Sequence, residues 1–234
     1  MTEHISKQYD QDLEAIRSRT LQMGGLVESQ VRAALSGYLS GDTEGIDNAI
    51  ASDARVNDME RALDDDLRTV IVRRQPAASD LRLIMAVSKT VTDLERIGDE
   101  AAKIARMARE IHANPIKRST ARLTMINHVS EVSTGMLRRS LDSFARLDAA
   151  AAARVIGEDA TIDEEFHAIV RQLITFMMED PRNISASINV IWVAKAIERI
   201  GDHAKNIAEQ TIYIVKGTDV RHTPLAQVQR EALS

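Results

Sequence analysis

Cysteine is absent from these 234 residues, which excludes disulfides, thiolate metal sites and cysteine nucleophiles and makes the reducing cytoplasm the expected location. Aromatic residues amount to 3%, so a core has to be built from Leu, Ile, Val, Met and Ala, a composition that suits helix packed on helix. Only four prolines occur, at 76, 115, 181 and 224, and they leave long uninterrupted runs of helix formers between them. No apolar run approaches the roughly 20 residues needed to span a bilayer, and the polar stretch from Met1 to Asp12 has no signal-peptide core. Basic excess is missing as well. A net charge of −5 argues against nucleic-acid binding, which needs a cationic face to displace counterions. What remains, 44% hydrophobic and 28% charged residues, is enough to fold around a core.

The most informative feature present is a duplication. Glu95-Arg96-Ile97-Gly98-Asp99 returns unchanged as Glu198-Arg199-Ile200-Gly201-Asp202, a spacing of 103 positions (95 to 198, 99 to 202). Upstream, Leu81, Ile84, Val87, Val91 and Leu94 face Ile184, Ser187, Val190, Ala194 and Ile197 at the same spacing. Earlier still the spacing is 106 (35 to 141), with Leu35, Tyr38, Asp42, Asp53 and Val56 matching Leu141, Phe144, Asp148, Asp159 and Ile162. The change in spacing falls around the turn at Pro76, where an indel is tolerated.

Apolar periodicity predicts an all-α fold: six long helices forming two pseudo-symmetric three-helix bundles. The chain divides into residues 1–114, 115–218 and a tail, 219–234, with little apolar pattern, expected to be frayed or held by a partner. A first helix carries Leu13, Ile16, Met23, Val27, Val31 and Leu35 inward and closes at Gly41-Asp42. A second buries Ile46, Ile50, Val56, Met59, Leu63, Leu67, Val70 and Ile71 and stops near Gln75, because the residue before Pro76 disfavours helical geometry. The third, capped by Ser79 or Asp80, runs to about Ala113. Second-copy helices are expected from about Thr120 to Leu147, Ala149 to Met178 and Asn183 to Val215. One mixed six-helix bundle is the alternative.

Four residues of helix rise about 6 Å, so Glu95 stacks on Asp99, and Glu198 on Asp202, on one face. The apolar stripe Leu94, Ile97, Ala101, Ile104 and Ala108 lies nearly opposite, which predicts solvent-facing acids. Like charges at this spacing repel unless a cation intervenes. Lys103 can supply one in the first copy, but its match in the second is Asn206 while both acids remain. The missing cation points toward a bound metal, while spacing alone is met more often by acids that are simply solvated on an exposed helix face. A neighbouring helix carries Asp53 with Asn57, and Asp159 with Asp163, at the same spacing. Oxygen-only ligands suit divalent cations or iron and manganese better than zinc. His203 is expected to be exposed, Trp192 and Met177-Met178 to be core, and Asp64-Asp65-Asp66 to be a solvated face. Gly98 and Gly201, inside helices, point to close helix approach. No nucleophile-elbow, phosphate-loop or His-Glu-x-x-His pattern occurs.

Ala78-Ser79-Asp80-Leu81-Arg82, the two Glu-Arg-Ile-Gly-Asp segments, Met23-Gly24-Gly25, Val170-Arg171-Gln172-Leu173, Met177-Met178-Glu179-Asp180 and Tyr213-Ile214-Val215-Lys216-Gly217 together resemble the PhoU family of phosphate-transport accessory proteins. The resemblance implies metal clusters at Glu95, Asp99, Glu198 and Asp202, with Asp53, Asn57, Asp159 and Asp163 as companions. Asn57, a neutral and weaker ligand, departs from the acidic pattern and would leave the first cluster smaller, looser or absent. It further implies a non-enzymatic repressor of the phosphate-starvation response, bound to the ATPase of a phosphate ABC importer and to a phosphate-sensing histidine kinase, and peripheral to the membrane through them. Asp80 and Arg82 resemble the kinase-facing segment, and a homodimer is expected. Two other classes are a metal-dependent phosphoester hydrolase using the acidic clusters and a metal-free helical adaptor.

Overall fold

A computed structural model describes residues 7–113 and 124–233. Among these are seven α-helices and no strand: α1 (Lys7–Ser40), α2 (Thr43–Arg74), α3 (Ala78–Ala113), α4 (Asn127–Arg146), α5 (Ala149–Glu179), α6 (Ile184–Lys216) and α7 (Leu225–Leu233). The expected start of the fourth helix at Thr120, and the division between residues 114 and 115, lie outside the described residues.

Equivalent chemistry closes equivalent turns. Asp42 accepts a hydrogen bond from the Glu44 N–H at 3.1 Å and caps α2, and Asp148 accepts from the Ala151 N–H at 2.8 Å and caps α5. Gly41 ends α1 at φ 79, a left-handed conformation that costs glycine nothing. Gln75 and Leu147 take the same left-handed region at φ 49 and 53 to end α2 and α4. Because α3 begins at Ala78, Ser79 and Asp80 sit in its first turn and are not its cap; Asp80 instead accepts the Tyr9 hydroxyl at 3.2 Å.

Short turns fold α1, α2 and α3 into one antiparallel bundle and α4, α5 and α6 into another. Tyr38 and Phe144, equivalent in the two copies, are both fully buried, each contributing roughly 2–3 kcal/mol. The bundles join along α3 and α6, and α1 meets α4, so a single apolar core runs through both. A Cβ at Gly24 would stand 2.6 Å from Leu141 Cδ2, a measure of how closely α1 and α4 approach.

Four further expectations change. His203 is 6% exposed, because α6 is covered on the α3 side as well as on the α5 side: its Nδ1 lies 2.8 Å from Asp93 Oδ1, which also accepts from Asn206 Nδ2 at 3.0 Å. Trp192 and Met178 are not core; they are 49% and 81% exposed. Ile71, placed on the inner face of α2, is exposed near its end. The tail is neither frayed nor patternless: α7 packs on α5, burying Val228 and Ala232, with Val220 buried ahead of it.

Candidate cation-binding faces

Each acidic face is made where two antiparallel helices come unusually close. A Cβ at Gly98 would lie 3.2 Å from Val56 Cγ1, and one at Gly201 would lie 2.6 Å from Ile162 Cδ1, the equivalent contact. Glycine on α3 and α6 therefore lets α2 and α5 approach, and the acids flanking each glycine meet those of the neighbouring helix. In the first half Gln30, buried on α1, fixes this junction by donating to Ala49 O at 3.0 Å and Gly98 O at 3.2 Å.

Asp53, Glu95 and Asp99 converge in the first half, joined by a residue the sequence pattern did not single out, Glu60. Burial pushes the Glu95 carboxyl above its ordinary range, and the charges of Asp99, Glu60 and Asp53 add to the shift. Asp53 is raised by burial and then by Asp99, with Arg106 and Gln30 opposing; Glu60 is raised by burial, then by Asp64 and Asp99, with Arg61 opposing. Asn57 lies half-buried one turn along α2 from Asp53. None of these four carboxylates forms an ion pair among the described residues, and Asp53 Oδ1 is buried without a hydrogen-bond partner. Glu60 stands seven residues beyond Asp53, on the same helix face, a signal that periodicity offers in retrospect.

Asp159, Asp163, Glu198 and Asp202 converge in the second half. Burial, then Glu198, Asp159 and Asp163, raise Asp202 to about 6, with Lys195 opposing. Here the outward-facing expectation is wrong for one acid: Glu198 is 8% exposed, covered in the groove between helices, whereas Asp99 and Asp163 are exposed. The cation argument is also reversed. Lys103 does not bridge Glu95 and Asp99; it pairs with Glu100 at 3.3 Å and lies 5.5 Å over the Trp192 ring. The second half, expected to lack a cation, has two: Lys195 Nζ is 2.6 Å from Glu198 Oε1 and Lys205 Nζ is 2.5 Å from Asp159 Oδ2. They come from positions matching Thr92 and Ala102, so a comparison at Lys103 alone could not find them.

In neither half do three of these groups already close on one point as an ion requires, among the described residues. The first face fits a hard cation by carboxylates that form no ion pair and by its orphaned Asp53 atom, although the charges of Arg106, Arg96 and Arg61 act on Asp53, Glu95 and Glu60 from a distance. The second has one orphan, Glu198 Oε2, while Glu198 Oε1 and Asp159 Oδ2 are met by ammonium groups and Asp163 and Asp202 form no ion pair among the described residues. Asp80 and Arg82 sit far along α3 from the acids, on a pocket of about 530 Å³ that also takes Arg17, Leu147 and Ile214. Arg82 Nε is buried without a hydrogen-bond partner, and its guanidinium packs on Gly217 at the end of α6.

The PhoU domain model matches this chain twice, over residues 20–108 and 126–211. A phosphate-specific transport system accessory protein PhoU homolog from Pseudomonas putida is 47% identical over 231 residues, covering 99% of this chain and 90% of that protein. The accessory protein PhoU of Escherichia coli K12 is 42% identical, covering 95% and 91%. The crystal structure of PhoU from Pseudomonas aeruginosa superposes with a TM-score of 0.86 at 45% identity, covering 90% of this chain and 100% of the other. The phosphate transport system regulatory protein PhoU from Streptococcus pneumoniae gives 0.80 at 25% identity, covering 91% and 99%.

Proposed function

This chain belongs to the PhoU family, and we propose that it is a cytoplasmic, non-enzymatic regulator of phosphate uptake and of phosphate-starvation signalling. It docks on the ATPase of a phosphate importer and on a phosphate-sensing histidine kinase, reaching the membrane through them; no described helix is long and apolar enough to cross it. The observation that carries the reading is the double match to the PhoU domain over residues 20–108 and 126–211, with the two acidic faces at corresponding positions of the two repeats, each beside a close helix crossing.

Docking regulates only if it distinguishes two states. A partner bound equally to both conformations of the importer shifts neither, so the affinity for one must change with phosphate. Held on the phosphate-replete importer, the protein keeps the kinase in its phosphatase-favouring state. Asp80 and Arg82, beside a pocket with apolar walls, are the proposed kinase contact. Equivalent uncovered residues, Leu81 and Met85 on α3 and Ile184 and Ile188 on α6, offer apolar surface for a homodimer. On the first face, Asp53, Glu60, Glu95 and Asp99 would hold a divalent or iron-type cation, which supplies charge neutralisation and a cross-link between α2 and α3.

Immobilised protein, challenged with the importer ATPase and the kinase cytoplasmic domains with and without phosphate, is expected to retain both, with retention dependent on phosphate. Failure to hold either partner refutes the docking reading. Turnover of a phosphoester panel with manganese, abolished in Asp99→Ala and Asp202→Ala, would instead support the hydrolase.

A further inference from the structure

We propose that the two acidic faces are not equivalent cation sites: the first takes a metal ion, whereas the second is occupied by the chain's own ammonium groups, those of Lys195 and Lys205. The inference rests on the cation-binding reading of the first face. Lys195 Nζ lies 2.6 Å from Glu198 Oε1 and Lys205 Nζ lies 2.5 Å from Asp159 Oδ2, so one carboxylate of each helix, α6 and α5, already has a cation within hydrogen-bond distance. Both ammoniums are anchored. Lys195 also sits 5.3 Å over the Phe166 ring, which stands where the first half has Glu60, and Lys205 is itself half-buried. Arg221, brought back by the tail, lines the same 420 Å³ pocket as Asp159, Asp163 and Lys205. A divalent ion drawing on all four carboxylates there competes with two ammonium groups for Glu198 and Asp159 and stands beside them as a like charge. In the first half the equivalent positions are Thr92 and Ala102, so its four carboxylates, Glu60 among them, have no lysine within ion-pair distance, and the Arg106 charge acts on Asp53 without an ion pair; each face keeps one orphaned oxygen, Asp53 Oδ1 and Glu198 Oε2.

Manganese(II) chloride titrated into metal-stripped protein in 150 mM salt, followed by calorimetry and by the loss of the free-ion EPR signal, tests this. Wild type is expected to bind through the first face alone: Asp99→Asn, or Glu95→Gln if that variant fails to fold, loses at least tenfold in affinity, and Asp202→Asn changes it less than twofold. Lys195→Met/Lys205→Met is expected to gain a second set of sites, lost again when Asp202→Asn is added. Equal losses in Asp99→Asn and Asp202→Asn, or no gain in the lysine variant, overturn the non-equivalence while leaving cation binding intact. No manganese bound by any variant overturns both.

Discussion

Set side by side, the two halves agree wherever apolar packing decides and part wherever charge decides. Asp42 and Asp148 cap α2 and α5 alike, Tyr38 and Phe144 fill the same buried place, and Val56 and Ile162 meet the same helical glycine. Their acidic faces share the Glu-x-x-x-Asp spacing but not its surroundings: one is a set of carboxylates without ion pairs, the other a set threaded with lysine. Duplication therefore preserved a core and released a surface. Packing is close to crystal density, and a changed volume is felt at once, while a charge at a helix face needs only a countercharge somewhere within reach.

The sharpest test of the shared part is a matched pair of core truncations. Leu94 and Ile197 are equivalent, and both are fully buried. Leu94→Ala and Ile197→Ala are each expected to cost about 3 kcal/mol in urea unfolding, the range for an aliphatic cavity. Because the apolar core is continuous through both halves, each loss should shift one common transition. Two separated transitions would show halves more independent than their contacts imply.

Next in size comes the part that differs. Lys205 and Asp159 are both largely covered, with side chains 33% and 13% exposed, so removing the lysine leaves a carboxylate short of its countercharge. Lys205→Met is expected to cost about 2 kcal/mol in chelator-treated protein, discounted for the water that still reaches the pair. Adding Asp159→Asn should recover most of that loss. If it does not, the cost lies in packing of the lysine stem and not in charge.

Much of this architecture is legible in the sequence. Helix ends follow from Pro76, Gly41 and the two capping aspartates, and the duplicated motif announces the repeat. What could not be read is which second face of a helix a neighbouring bundle covers. A helical wheel assigns His203 to solvent because it considers one apolar stripe, yet α6 is packed by α3 as well as α5, and the imidazole ends beside Asp93. Trp192 errs the other way, an apolar letter left at the rim over Lys103. Of the site, the stacked acids were legible and their countercharges were not. Lys195 and Lys205 matter through a contact across helices, and a position-by-position comparison looks only along one. The tail had a faint signal in Val228 and Ala232, four apart, which α7 turns inward.

A third contrast is pH. Glu209, where the first half has Arg106, is raised to about 7, chiefly by burial, with Lys205 and Arg221 opposing and Asp219 and Asp159 adding to the rise. A carboxyl whose folded pKa lies above its unfolded value keeps its proton longer in the folded state, so stability falls as pH rises from about 4.5 to about 7 and stays lower above. Glu209→Gln is expected to gain about 1–2 kcal/mol at pH 8 and nothing at pH 4, flattening this part of the profile. Urea midpoints across that range measure it; an unchanged slope would place the pH dependence elsewhere.

The smallest expected effect separates acids that face one another from acids that merely share a helix. Asp64, Asp65 and Asp66 have no counterpart run in the second half, and Asp65 pairs with Arg68 at 2.6 Å with both side chains more than 70% exposed. In such a pair the Coulomb gain is offset by hydration and side-chain entropy. Arg68→Ala and Asp65→Asn should each move stability by less than about 0.5 kcal/mol, and the two together by no more than their sum. A larger coupling would mean that the run acts with Glu60, which Asp64 already biases, and that the first acidic face extends further along α2 than its four carboxylates.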